Sequence, residues 1–271
     1  MAKSVTSLEV LRTERVSAHL QRVTFGGPGL AAFEPSPCAD SYVKLLFLAD
    51  DVEYPEPFDL DLVRTTFPAE AQPVLRTYTV RHVDLDAGEL VIDFVVHGDE
   101  GIAGPWAASV RPGARIHALG PGGGYTPDPE ADVHLLVGDE SALPAVAVSL
   151  EALPEGARAV VFAEVGGPDD EAALVTKAEL DVHWLHRGDA APGTTTLLDD
   201  AVRAWDWPEG RVQAFVHGES ALLKTVRPYV RERVERRDLS VSAYWRRGVT
   251  EEGFREWKHA QKDAVIRPER G

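Results

Sequence analysis

Cysteine is almost absent: Cys38 is the only one in 271 residues. An intrachain disulfide is therefore impossible, and so is an iron–sulfur cluster held by four thiolates of this chain. Cations are in deficit, with 28 Lys and Arg against 44 Asp and Glu and a net charge of −16. Nucleic acids and anionic membranes repel such a surface, which argues against non-specific binding to either. Any anion site must be a local basic pocket. No apolar run reaches the roughly 18 residues of a membrane span. Met1-Ala2-Lys3-Ser4 leads into a polar segment without an apolar signal core, so a cytoplasmic location is expected. Catalytic fingerprints are missing too. There is no G-x-S-x-G nucleophile elbow, and Gly120-Pro121-Gly122-Gly123-Gly124 lacks the Lys-Ser/Thr of a P-loop. His183 and His186, three apart on a strand, fall on opposite faces, so no metal site is expected there.

The chain has 44% hydrophobic and 27% charged residues, which fits a folded globular protein rather than a disordered one. Its length predicts about two domains. Residues 5–25 alternate in part between apolar and polar and read as two strands, broken by Gly26-Gly27-Pro28-Gly29. Further strands are expected at 42–48, 76–81, 89–97 and 115–119. Residues 50–74, with four prolines and many acids, read as a long surface excursion. Six short strands with few helices and many turns predict a small antiparallel barrel. The pattern then changes. Strands at 134–137, 159–165, 181–185 and 212–216 alternate with helical stretches at 142–153, 195–205 and from Ser220 onward, where Pro228 threatens the last helix. That alternation predicts a parallel sheet in a βαβ layout. The boundary is placed at residues 1–128 and 129–271, and the second part ends in a helix from about residue 251.

Three stretches carry candidate chemistry. In Arg76-Thr77-Tyr78-Thr79-Val80-Arg81, strand alternation puts Arg76 and Tyr78 on one face, a cation beside an aromatic ring. That pair suits a ligand with a diphosphate at one end and a flat ring system at the other. The same run is also ordinary strand material. Gly138-Asp139-Glu140-Ser141-Ala142-Leu143-Pro144 lies where a strand of the α/β part meets its helix, the place where open α/β sheets bind nucleotides, but without the G-x-G-x-x-G fingerprint. Tyr244-Trp245-Arg246-Arg247-Gly248 combines two aromatics and two cations. It suits a large anionic or aromatic ligand, or else packing aromatics beside solvated arginines.

Taken together with Pro55-Glu56-Pro57-Phe58-Asp59, Asp93-Phe94-Val95-Val96-His97-Gly98, Trp106-Ala107, Gly120-Pro121 and His217-Gly218-Glu219, these stretches resemble the siderophore-interacting proteins. Those are flavin-dependent ferric-siderophore reductases of the ferredoxin-reductase-like superfamily. The resemblance runs from Val16 to Gly248 and implies an N-terminal antiparallel flavin-binding β-barrel followed by an α/β nucleotide-binding-like domain with a parallel sheet. It implies FAD contacts at Arg76, Thr77, Tyr78, Thr79, His97, Gly98, Gly101, Ala103, Gly104, Trp106 and Ala107. In it Arg76 reaches the diphosphate, Tyr78 packs on the ring, Thr79 sits at N5, and the turn to Trp106-Ala107 holds the phosphates. It implies nicotinamide contacts at Gly138, Asp139, Glu140, Ser141 and Ala142, and a basic pocket for the ferric siderophore at Lys44, Arg246, Arg247 and Arg81. Arg81 faces away from Arg76 by alternation, so it belongs to that pocket or to solvent. The chain departs from the family's pattern at Gly101-Ile102-Ala103-Gly104 and at His217-Gly218-Glu219.

The implied reaction passes electrons from NADH, NADPH or reduced ferredoxin through FAD to Fe(III), and iron enters as substrate rather than as a protein-bound metal. Ferredoxin is a possible protein partner, and a monomer is expected. Asp169-Asp170-Glu171, after the second strand of the α/β part, lean to NADH, since an acid there can meet a ribose hydroxyl. The rival readings are a flavoprotein reductase of another acceptor, such as ferredoxin or free flavin, and a siderophore- or flavin-binding protein without turnover.

Overall fold

A computed structural model describes residues 5–98, 101–249 and 253. Val5–Arg15 (β1) and Leu20–Gly26 (β2) form the expected hairpin. The strands Tyr42–Phe47 (β3), Val74–Thr79 (β4), His82–Asp84 (β5), Glu89–Val95 (β6) and Arg115–Gly122 (β7) complete an antiparallel sheet in the order β4-β3-β7-β1-β2-β6-β5. The sheet curls so that β4 approaches β6, and the Tyr78 and Phe94 rings meet across that seam at 4.4 Å. Inward residues of alternate positions, among them Leu8, Val10, Val23, Phe25, Val43, Leu45, Ile92 and Phe94, fill the barrel. Each such side chain contributes about 1.5–3 kcal/mol by leaving water. A helix at Ala103–Ser109 (α2) plugs one end, with its Trp106 stacked on Phe25 at 6.3 Å and edge-on to Phe47 at 5.6 Å.

The excursion at 50–74 is more ordered than its prolines imply. It contains a helix, Leu60–Thr66 (α1), whose N-terminus is capped by Asp59 accepting from the Leu62 amide at 3.0 Å. Leu60 packs with Leu46 and Leu119 on the outside of the barrel.

The second half builds five parallel strands, Val133–Asp139 (β8), Arg158–Val165 (β9), Glu179–His186 (β10), Val212–Glu219 (β11) and Leu239–Trp245 (β12). Their order is β10-β9-β8-β11-β12. The helix Leu143–Glu151 (α3) covers one face, while Leu197–Ala204 (α4) and Leu222–Arg231 (α5) cover the other. The central strands β8, β9 and β11 are buried on both faces, as inner parallel strands are, while the edge strands β10 and β12 are largely part-exposed. Strict alternation of helices fails once, because the β9–β10 connection holds only a 3-10 turn, Pro168–Asp170. Pro228 does not break α5. It lies on the exposed side, where the carbonyl it frees can reach water. Ala221 rather than Ser220 occupies the N-cap position of α5, and the Ser220 hydroxyl donates to Glu219. The expected C-terminal helix from about 251 falls on residues outside those described.

Barrel residues Leu20, Ala39 and Tyr125 share one apolar cluster with Leu136, Val146, Val161 and Phe215, so the two halves pack on a common core. The reversal of strand order lies between β8 and β11. Their C-terminal ends, Asp139 and Glu219, mark the crevice where ligands bind in open α/β sheets.

His134, on β8, is fully buried, and that burial pushes its pKa below the ordinary 6.5. A neutral folded-state imidazole contributes stability at high pH that is lost as pH falls through 6.5 toward the lower folded value. The thermal midpoint of His134→Gln should therefore drop less than wild type between about pH 7.5 and 5.5. Equal drops in both proteins contradict this.

Candidate active site between the barrel and the parallel sheet

β4 is the last strand of its sheet, and its register against β3 pairs Tyr42 with Thr79, Val43 with Tyr78, Lys44 with Thr77 and Leu45 with Arg76. Directly opposed residues share a face. Val43 and Leu45 are fully buried, so Arg76 and Tyr78 lie on the inner side. Arg76 Nη1 donates to the Leu75 carbonyl at 2.8 Å. Lys44, Tyr42, Thr77 and Thr79 share the outer side.

The segment after β6 runs through exposed His97 to Gly98 and Gly101, at φ +56° and +80°, both with open space where a side chain would stand. Only glycine adopts these conformations readily. α2 then starts at Ala103 without a side-chain cap. Left-handed glycines, an uncapped helix start, Arg76 and Tyr78 together fit a dinucleotide's diphosphate and ring. One expectation needs correction. Gly104, Trp106 and Ala107 are helical rather than part of a turn, and they serve packing. Ala103 and Ala107, four apart, face the barrel interior together, and Trp106 is the plug described above. A side chain on Gly104 would stand 3.2 Å from the Val95 carbonyl oxygen. Asp99 and Glu100, between the two glycines, lie outside the described residues.

On the outer side of β3–β4 the two halves of the chain converge. Tyr244, on β12, shares a side-chain hydrogen bond with Thr79. Burial pushes the Tyr244 phenol upward, so it remains a neutral hydroxyl. Lys44 is one strand away, and Arg246 follows two residues after Tyr244. Tyr42 lies flat over Gly122, where any side chain would displace its ring. Arg247 is exposed, and its backbone amide donates to Glu219 at 3.1 Å. Arg81, expected in the pocket or in solvent, is largely covered and engaged elsewhere. It forms a two-pronged pair with Glu151 of α3, at 2.9 and 2.5 Å, and thereby ties the barrel to the α/β half.

The β8–α3 turn also differs from the phosphate cradle that its position predicts. Asp139 accepts from the Ser141 amide at 2.9 Å and from the Ser141 hydroxyl, and the Ala142 amide bonds to the Asp139 carbonyl. Pro144 removes one more donor from the first turn of α3. Glu140 forms a buried pair with Arg187 at 2.5 Å. Burial pushes the carboxyls of Asp139, Glu140 and Glu164 upward, and Arg187 opposes this at Glu140. Gly138 is required by packing, since a Cβ there would meet Ala142 at 2.5 Å and the His217 carbonyl at 2.8 Å. The turn is thus closed on itself by its own acid.

Asp170 does not await a ribose. It is 3% exposed and accepts from the His19 amide and ring at 2.8 Å, with the Ser17 hydroxyl at 3.4 Å. Glu171 is engaged with His186 at 2.8 Å. The lean to NADH therefore loses Asp170, which serves as an anchor between the two halves.

Sequence reasoning singled out the segment holding Tyr244 and Trp245 but missed what Asp139, Tyr42 and Glu219 do. Their partners lie on distant strands and leave no local signal. No helix among the described residues is long and apolar enough to cross a membrane.

Two family models match this chain. Residues 9–125 match the siderophore-interacting FAD-binding domain, and residues 131–248 match the siderophore-interacting protein model. The ferric vibriobactin reductase ViuB of Vibrio cholerae is 34% identical over 94% of each chain. The NADPH-dependent ferric-chelate reductase of Escherichia coli K12 is 30% identical over 88% of this chain and 91% of its own. The crystal structure of a siderophore utilization protein from T. fusca superposes with a TM-score of 0.80 at 38% identity, covering 92% of this chain and 95% of that one. The barrel followed by the parallel sheet is a ferredoxin-reductase-like fold. On its two matched domains and these relatives, the chain belongs to the siderophore-interacting protein family and carries that family's FAD-binding domain.

Proposed function

We propose that this protein is a flavin-dependent reductase that passes electrons from NAD(P)H through FAD to a ferric siderophore and releases Fe(II) in the cytoplasm. The observation that carries the reading is the contact of Tyr244 with Thr79, which brings the end of β12, and so the chain at Arg246, against the pair of strands that bears Lys44 on one side and Arg76 and Tyr78 on the other. When bound, FAD supplies the conversion of a two-electron hydride into single electrons.

The chain's own residues do the rest. Arg76, the Gly98–Ala103 turn and the start of α2 hold the diphosphate. Tyr78, packed on Phe94, and Thr79, held by Tyr244, would hold the flavin's ring system. Lys44 and Arg246, with Arg247 at the rim, draw an anionic ferric complex to this face although the whole chain carries −16. No acid–base or nucleophilic residue is required, because Fe(II) is held less tightly than Fe(III) by the hard oxygen donors of the siderophore. The donor approaches along the C-terminal edge of the parallel sheet. The name of the E. coli relative supports NADPH as that donor.

The test loads the protein with FAD and adds NADH, NADPH or reduced ferredoxin anaerobically, each alone, followed by ferric siderophore. Bleaching by one donor and recovery of the oxidised flavin spectrum on siderophore addition are expected. Protein that takes up no FAD, or that none of the donors bleaches, contradicts the proposal.

A further inference from the structure

Two carboxylates, Asp139 and Glu219, are buried at the C-terminal ends of β8 and β11, and neither has a salt-bridge partner among the described residues. Burying an acid in this way is costly unless its oxygens are fully used. Asp139 Oδ1 accepts from Ser141. Its Oδ2 accepts from the Glu219 amide at 2.9 Å and from the Trp245 indole Nε1–H at 2.8 Å. Glu219 Oε1 accepts from the Ser220 hydroxyl at 3.0 Å and from the Arg247 amide at 3.1 Å, and its other oxygen accepts from the Ala221 amide. The Ser220 amide in turn donates to the Trp245 carbonyl at 3.0 Å.

The backbone is cleared for this arrangement at two glycines. Gly218 has φ +146°, and a Cβ there would stand 2.8 Å from Asp139 Oδ2. At Gly193, φ +71°, a Cβ would stand 2.7 Å from Glu219 Cγ and 3.2 Å from the Trp245 ring. The residues on either side of Arg246 are therefore each pinned by one buried acid, through Trp245 on one side and Arg247 on the other.

We infer that Asp139 and Glu219 are positioning residues that aim Arg246 at the acceptor. The Gly-Asp-Glu-Ser turn then serves the iron substrate from behind rather than the nicotinamide donor. This rests on the reading of Arg246 as an acceptor-binding cation.

Trp245→Phe keeps an aromatic side chain on β12 but removes the pyrrole part of the indole and with it the N–H that Asp139 holds. In the FAD-loaded protein it should raise the KM for a ferric catecholate siderophore about tenfold, the scale of a lost hydrogen bond to a charged group. The kcat and the rate of flavin reduction by the donor should stay unchanged. In an Arg246→Ala background the same change should add nothing, because the route runs through Arg246. Asp139→Asn tests the other end of the bond, and Trp245→Phe decides the matter if the Asn variant fails to fold. An unchanged KM in Trp245→Phe, or an undiminished effect on top of Arg246→Ala, overturns the inference. If Arg246→Ala alone leaves KM unchanged, the acceptor-site reading fails first, and the inference falls with it.

Discussion

Replacing Lys44 and Arg246 together with alanine should weaken binding of an anionic ferric siderophore by at least about a hundredfold while FAD content stays normal. A hydrogen bond to a charged group is worth about 1.5–3 kcal/mol, so each cation accounts for roughly ten- to a hundredfold. Lys44 sits opposite Thr77 on the outer side of the barrel, away from Arg76 and Tyr78. Its loss should therefore spare the flavin. The effect should shrink as salt rises, because the attraction is local and partly exposed to solvent. Titration of the oxidised protein with the ferric complex checks this. An unchanged titration curve removes both residues from the acceptor site.

The second large effect is on the joint between the two halves. Asp170→Ala strips the partner from the His19 amide and ring and leaves a part-buried donor unsatisfied, at a cost of about 1–3 kcal/mol. For a chain of this size, at about 2–4 °C per kcal/mol, that is a fall of roughly 2–12 °C in Tm. Arg81→Ala removes the pair with Glu151, whose carboxylate is more than a third exposed, and solvent screening limits that loss to about 1 kcal/mol or less. Thermal unfolding of the two variants should rank Asp170→Ala well below Arg81→Ala. The reverse order contradicts the assignment of Asp170 as the main anchor.

Much of this protein is legible in its sequence. Alternation from Val5 to Phe25, the apolar runs at 134–137 and 159–165, and the break near Thr126-Pro127 describe where strands run and where the sheet type changes. The pairing of Arg76 with Tyr78 follows from a period of two alone. The helix at Leu60–Thr66 is obscured by the prolines around it, although Asp59 before Leu60 and Val63 is a cap signal in plain view. What local pattern does not carry is side-chain commitment over long separations. Arg81 meets Glu151, Asp170 meets His19, and Asp139 meets Trp245 across 70 to 151 positions of chain. Each of these residues has a plausible ligand role by type and position, and in each case a partner from the other half of the chain, or from a remote strand, takes it instead. Trp106 misleads for a related reason. A glycine-rich run reads as a turn, while its helical spacing of Ala103 and Ala107 is set by the barrel they seal.

The central claim is that electrons leave the flavin for siderophore-bound iron at the face shared by Lys44, Thr79 and Arg246. Single-turnover mixing of the fully reduced, FAD-loaded protein with a ferric siderophore, under anaerobic conditions and with a ferrous-specific chelator, tests it most directly. The account predicts full recovery of the oxidised flavin spectrum with two ferrous ions captured per flavin, and a much slower reaction in the Lys44→Ala, Arg246→Ala protein. A flavin that stays reduced in the presence of excess ferric siderophore would contradict it.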